Sequence, residues 1–345
     1  MKYFFSVLFF AFFISAFSQT LTTSFIAKAK YSNKQVVWYE YDYWLDGSKL
    51  SDTKNKNKFN DILFKKVGNK NYKAQTEGAF NVEDWGVKKD YEGGKPEENS
   101  TLIQAMVDYF PIGYTASVYI PAGNYYFNKT IVLNTRPLHL FGDNGTIFGN
   151  STKLYFPSNT TGIQVDRAKQ SIQETIIEKI CLVGGGGDGS KGNGIHSNAR
   201  IKLRDCTMKG FSQNGLLIWA NMEEGGDASG SLIESCHSLE NGHDGYLAGR
   251  TDANAITFVG CDARDNGRYG FNDDSFLGNN FISCMAHYNK AGDFFVRDKG
   301  NARSLFQACY SEGGNKTSGL SGRSTIIGGI WGTGYTKDGG KTILY

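Results

Sequence analysis

Proline is scarce in this 345-residue chain, with 5 in all, and no Cys-x-x-Cys pair occurs in it. The first scarcity, beside 43 glycines with no Gly-X-Y period, excludes a collagen-like or proline-rich chain. The second removes the usual signature of a structural zinc site. An excess of one charge is also lacking: 37 Lys+Arg stand against 34 Asp+Glu, a net charge of +3. With no basic segment carrying interleaved aromatics, no nucleic-acid partner is expected. Beyond residue 17 no apolar run approaches the ~20 residues of a membrane-spanning helix, so no membrane span is expected either. What remains is long enough to bury a substantial core, as one large domain or two small ones.

The first 18 residues read as a leader. Lys2 supplies a positive start, Phe4 to Phe17 an apolar run, and Ala16-Phe17-Ser18 small residues ahead of Gln19. Cleavage near Ser18/Gln19 is expected, leaving a soluble, secreted or periplasmic protein.

The six cysteines, Cys181, Cys206, Cys236, Cys261, Cys284 and Cys309, fall 25, 30, 25, 23 and 25 residues apart. Disulfide frameworks are rarely so even, and a period of this length is the mark of a solenoid. Each cysteine closes a short β-rich segment, as in Ile201-Lys-Leu-Arg-Asp-Cys206, Ile256-Thr-Phe-Val-Gly-Cys261 and Leu305-Phe-Gln-Ala-Cys309. Asn/Gly turns follow, as in Asn241-Gly-His-Asp-Gly-Tyr246 and Asn266-Gly-Arg-Tyr-Gly-Phe271. Strand-turn-strand coils without helical periodicity predict an all-β, right-handed parallel β-helix, its neighbouring strands ~4.8 Å apart. If the cysteine points inward, so does the residue two later: Met208, Ser238, Ala263, Ala286 and Ser311. The cysteines are therefore expected as buried packing residues, with oxidation between stacked neighbours as the rival.

Residues 19–77 differ, with eleven lysines from Lys28 to Lys73 beside Val36-Val-Trp-Tyr-Glu-Tyr-Asp-Tyr-Trp44. They form a small N-terminal extension of strands and turns. Its aromatics offer a sugar-stacking platform or, more simply, one face of a half-buried strand. Residues 78–345 then form the β-helix domain. Within it, Thr101 to Phe110 predicts a short capping helix, N-capped by Ser100 or Asn99, with Leu102, Ile103, Met106 and Phe110 as its apolar stripe.

Phe80-Asn-Val-Glu-Asp-Trp-Gly-Val87, this helix, Val118-Tyr-Ile-Pro-Ala-Gly-Asn-Tyr125 and Leu138-His-Leu-Phe-Gly-Asp143 follow one another in an order that resembles the opening of the pectate-lyase-like superfamily. That superfamily includes rhamnogalacturonases and C5-epimerases. The resemblance implies the right-handed parallel β-helix and, more loosely, action on polysaccharides. Its acidic segment is altered here to Lys88-Lys-Asp90-Tyr-Glu-Gly-Gly94 and Glu97-Glu-Asn99. Glu240 to Tyr246 and Asp265 to Asn272 are similar to coils of alginate C5-epimerases, but Ile218 to Glu224 stands where their D-P-H-E motif falls. Of the hydrolase motifs N-T-D, D-D, G-H-G and R-I-K, only Asp273-Asp274 matches, preceded by Gly242-His243-Asp244.

On a solenoid, outward residues of successive coils line up. One and three places after each cysteine stand Thr207 and Lys209, His237 and Leu239, Asp262 and Arg264, Met285 and His287, Tyr310 and Glu312. β-Elimination of a uronate needs a cation on the carboxylate, a base for the C5 proton and a proton donor. Arg264 and Lys209 are candidates for the first, His287 or His237, with Asp262 beside them, for the second, and Tyr310 for the third. Lys209 and Glu312 also count among the substrate-binding candidates. A second cluster, His243-Asp244, Arg250, Arg268, Asp273-Asp274 and Arg297-Asp298, supplies further substrate-binding residues (Arg268, Arg297, Asp273 and Asp274). Asp273-Asp274 facing Asp244 or Asp298 also forms a candidate glycosidase pair. Tandem aspartates equally serve turns or calcium. Calcium is thus admitted, though no ligand loop demands it and no metal ligand is assigned. The expected function is action on an acidic polysaccharide, first by β-elimination, with a rhamnogalacturonase-type hydrolase or a non-catalytic binding solenoid as alternatives.

Overall fold

The computed structural model describes residues 24–28, 30, 35–75, 78–111, 115–133, 138–167, 174–297, 303–312, 323–331 and 343–344. The leader and its cleavage site lie outside the described residues. Among those described, no helix is long and apolar enough to cross a membrane. The chain divides into two compact units, Met1–Glu77 and Gly78–Tyr345.

The first unit is a four-stranded antiparallel sheet in the order Ser24–Lys28, Gln35–Glu40, Lys70–Ala74, Phe64–Val67. Trp38 and Trp44 are its core, 1% and 2% exposed, and the Trp44 ring lies 4.5 Å from that of Phe64. A sugar-stacking platform built on these tryptophans is therefore ruled out. Alternation on a half-buried strand accounts for them.

The second unit is a right-handed parallel β-helix of three parallel sheets with eleven, nine and seven strands. One coil shows the path. Ile201–Arg204 belongs to the eleven-stranded sheet, Asp205 turns the corner, Thr207–Phe211 joins the nine-stranded sheet, and Leu216–Trp219 joins the seven-stranded sheet. Six successive corners turn on a left-handed residue: Lys179, Asp205, Ser235, Gly260, Ser283 and Ala308 have φ between 51° and 59°. Five of the six carry a Cβ, a strain of about 1–2 kcal/mol each that only the surrounding coil maintains.

The residue after each corner points inward. Cys206, Cys236, Cys261, Cys284 and Cys309 stand there as buried, free thiols, with Met208, Ser238, Ala263, Ala286 and Ser311 buried two places on. Cys261 and Cys309 donate to the carbonyls of Ile233 and Phe281 one coil back, both at 3.3 Å. Burial pushes the Cys236 and Cys284 thiols up, as expected of inert packing groups. Cys181 corrects the repeat. It pairs in register with Thr207, so Ile180 takes the ladder position and Cys181 falls one place beyond it.

Stacked rings fill the later coils. Phe258, Phe281 and Phe306 lie 4.9 and 4.8 Å apart, and Tyr246, Phe271 and Phe294 lie 4.7 and 5.0 Å apart, all nearly parallel. At the turns entering the seven-stranded sheet, Asn241, Asn266 and Asn289 form a buried ladder. Each amide donates to the next side-chain carbonyl, at 3.0 and 2.9 Å. Stacking identical side chains at coil spacing satisfies their polar groups without water.

The capping helix runs Pro96–Tyr109, starting earlier than expected with proline at its first turn. Asn99 and Ser100 are inside it and do not cap it. Asn99 bonds both backbone groups of Lys88 at 2.9 Å, and Ser100 accepts from Asn128 N at 2.9 Å, tying the helix to the first coil.

Candidate functional site on the seven-stranded sheet

The expected site residues fall on two different faces. His237, Asp262, Met285 and Tyr310 form one outer row of the nine-stranded sheet, and Lys209, Leu239, Arg264 and His287 the next. Asp262 is nearly buried. Its two oxygens face His237 Nδ1 at 3.5 Å and His287 Nε2 at 3.4 Å. The other ring nitrogen of His287 lies 3.1 Å from Glu312, whose second oxygen accepts from Tyr310 Oη at 3.3 Å. The charge of Glu312 raises the Tyr310 phenol above its usual pKa. Lys209 pairs with Glu240 at 2.8 Å, and Arg264 leans to Asp265 at 3.5 Å.

This row answers its own charges. Both ring nitrogens of His287 face carboxylates, Asp262 and Glu312, and not open solvent, so a substrate C–H has no direct approach to either. The Tyr310 proton points at Glu312, and both candidate cations are already beside acids. The face is a solvated ladder of compensated charge.

The other set belongs to the seven-stranded sheet. Here Phe271, Asp273 and Ser275 follow the inward alternation, whereas Asn272 and Asp274 face out. Asp273 is 1% exposed and accepts from Ser275 N (3.1 Å), Asn279 Nδ2 (2.9 Å) and Ser304 Oγ (2.6 Å). Burial raises its pKa. It is a structural acid, and its expected contact with substrate is corrected. Asp244 is fully buried as well, gripped by the two-pronged Arg268 guanidinium, by Tyr269 N at 3.0 Å and by Asn272 Nδ2 at 2.9 Å. Asp298 lies outside the described residues.

The outer face carries an aromatic and cationic track. One row reads Leu217, Leu247, Asn272, Phe295, and another Trp219, Gly249, Asp274, with Arg297 one coil on; Asn272, Gly249 and Asp274 are buried beneath their neighbours. A Cβ on Gly249 would meet Trp219 Cζ3 at 2.4 Å and Cε3 at 2.7 Å, so the benzo edge of the indole packs against the glycine. The Arg250 guanidinium sits 5.3 Å above that ring and 3.5 Å from Glu224. Tyr269 stacks on Phe295 at 4.5 Å, and Arg268 stands 5.6 Å over Tyr269. Arg297, half exposed, pairs with Asp274 at 3.3 Å. Asn272 Oδ1 is buried and makes no hydrogen bond.

Sequence reasoning missed Trp219, Tyr269 and Phe295. The signal for the first was a glycine one coil later in the same register, which only the coil alignment exposes. Among the described residues no three His, Cys, Asp or Glu side chains gather as a metal ion would need.

No protein-family profile matches the sequence, and no curated protein is similar to it. Solved structures are. The enzymatically active domain of bacteriophage CBA120 tailspike protein 2 superposes with a TM-score of 0.55 at 12% identity, covering 94% of this chain and 52% of that one. Full-length tailspike protein 2 from the same Escherichia coli O157:H7 phage gives 0.51 at 13% identity, over 89% and 49%. The ORF18 protein of Geobacillus virus E2 gives 0.52 at 16%, over 81% and 65%. The chain thus spans roughly half to two thirds of these neighbours. At such identities the likeness is one of fold: this chain is a right-handed parallel β-helix of the architecture found in phage tailspikes.

Proposed function

We propose that the protein acts on an acidic polysaccharide laid along the outer face of the seven-stranded sheet, cleaving it by β-elimination. The observation that carries this reading is the outer-face row of Trp219, Asp274 and Arg297, with the stacked Tyr269–Phe295 pair beside it. Aromatic rings suit the apolar face of a sugar, and coils ~4.8 Å apart match successive sugar units. Arg250, Arg268 and Arg297 line the track, each beside an acid (Glu224, Asp244 and Asp274) with which a substrate carboxylate would compete. The leader read in residues 1–18 supports a substrate outside the cytoplasm.

Hydrolysis needs two accessible carboxylates about 5–10 Å apart. Of the acids named on this face, Asp244 and Asp273 are buried and saturated and Asp274 is 5% exposed and paired with Arg297, so Glu224 beside Arg250 stands as a single exposed carboxylate. Elimination asks for different groups. Arg297 or Arg268 neutralises the uronate carboxylate, and the Tyr269 oxygen, once its own proton has passed to water, takes the C5 proton. The C4–O bond breaks as the C4=C5 double bond forms, and the departing oxygen takes a proton from water.

The experiment follows ultraviolet absorbance of unsaturated uronate, with reducing ends in parallel, over a panel of acidic polysaccharides. Absorbance that Tyr269→Phe and Arg297→Ala abolish, and that His287→Gln spares, supports the reading. Reducing ends without absorbance overturn elimination in favour of hydrolysis. Binding without either product leaves the binding solenoid.

A further inference from the structure

A second site lies nearer the start of the same sheet. The turns that lead into Ile131–Val132, Ile163–Val165 and Ile195–Ser197 enclose a cavity of about 420 Å³. Its lining is Lys129, Thr130, Asn159, Thr160, Thr161 and Lys191, with no acid among them. Both lysines are exposed, and neither makes an ion pair among the described residues. Every cation of the expected sites has such a partner: Lys209, Arg264, Arg268 and Arg297 each stand beside an acid. Of the lining hydroxyls, Thr160 Oγ1 donates to Ser158 O at 3.3 Å, Thr161 Oγ1 accepts from Asn193 N at 3.3 Å, which leaves its own proton free, and the Thr130 side chain makes no hydrogen bond among the described residues.

Two ammonium groups from different coils, neither in an ion pair among the described residues, with the Thr130 and Thr161 hydroxyls between them and Asp188 bonded to Asn159 at the rim, form a receptor for an anion. We propose that this cavity is a second subsite for an anionic sugar substituent, a carboxylate or a sulfate ester, on a glycan chain. From its middle coil to the Tyr269–Ser275 coil is four coil steps of about 4.8 Å, roughly 19 Å, a span of three or four sugar units. One chain therefore reaches both places. That the anion belongs to a sugar rests on the polysaccharide reading above. That the cavity takes an anion does not.

The test compares binding of three hexasaccharides: an oligouronate, its carboxyl-reduced neutral counterpart, and a sulfated neutral chain. Three proteins are used, namely the unmodified chain, Lys129→Ala/Lys191→Ala and Trp219→Ala. Thermal melts first establish that all three are folded, which exposed lysines make straightforward. Removing two solvent-facing charge contacts is expected to weaken an anionic hexamer about tenfold and to flatten its salt dependence, leaving the neutral chain unchanged. Loss on the oligouronate or on the sulfated chain identifies the substituent. Unchanged affinity for both, or an equal loss on the neutral chain, overturns the site. If the lysine variant weakens binding while Trp219→Ala does not, the cavity stands and the reading of the seven-stranded face falls.

Discussion

Gly249→Ala tests the aromatic track without touching its aromatic. The new methyl carbon would lie 2.4 Å from Trp219 Cζ3 and 2.7 Å from Cε3, where carbon contacts settle at about 3.5–4.0 Å. The indole must move by roughly an ångström, because the obstacle is strand backbone held in register with Trp219 on one side and Asp274 on the other. Gly249 does not occupy the left-handed region, so alanine is otherwise tolerated there. Moving the ring loses the Arg250 contact, about 0.5–1 kcal/mol, and forces a rotamer shift of about 0.5–1.5 kcal/mol. The expected stability loss is thus about 1–2 kcal/mol, read by urea denaturation. Affinity for an acidic oligosaccharide should fall about tenfold, or 1.4 kcal/mol, close to the effect of Trp219→Ala itself. A variant with the expected stability loss and undiminished affinity refutes the idea that the Trp219 indole receives sugar.

Asn266→Ala breaks the asparagine ladder at its centre. Asn241 N loses its acceptor while Asn241 Nδ2 keeps Met208 O and Ser238 Oγ, and one buried orphan donor predicts a loss of about 1–3 kcal/mol in the unfolding free energy read by urea. A loss below about 1 kcal/mol would mean that water replaces the ladder. His196 gives a pH signature. Burial lowers its pKa below the ordinary 6.5, with Asp166 opposing weakly. Above 6.5 it is neutral folded and unfolded. As the pH falls through 6.5 the unfolded chain takes a proton that the folded chain refuses, so stability declines from there downward. Denaturation on either side of that value should show the decline, and His196→Gln should reduce its slope.

The coil repeat was legible because a parallel β-helix writes its period into the residues it buries. Cysteines at one corner, and Gly/Asn turns before each apolar residue, both mark positions where stacking leaves few choices. The inward row Ser238, Ala263, Ala286 followed from the period of two, and the same rule applied from Phe271 already placed Asp273 inside. The helix start was missed because Asn99 and Ser100 look like caps yet bind Lys88 and Asn128 across the first coil. Which face carries a site was not legible. Salt bridges between coils that neutralise Lys209 and His287, and an indole resting on Gly249, depend on side-chain reach between coils and not on the order of residues in any one.

Cys181 shows how a residue type can mislead where register cannot. It keeps the 25-residue spacing to Cys206, but the strands pair Cys181 with Thr207, and Ile180 occupies the corner ladder. The two neighbours should therefore respond oppositely. Cys181→Thr places at that position the residue the next coil already holds there, and should cost less than about 1 kcal/mol. Ile180→Cys installs the apparent consensus residue, yet it removes buried methyl groups from a fully packed site and should cost about 1–3 kcal/mol. Urea denaturation of the two variants decides the point. If the threonine substitution proves the more damaging, Cys181 belongs to the ladder after all and the register at this coil is wrong.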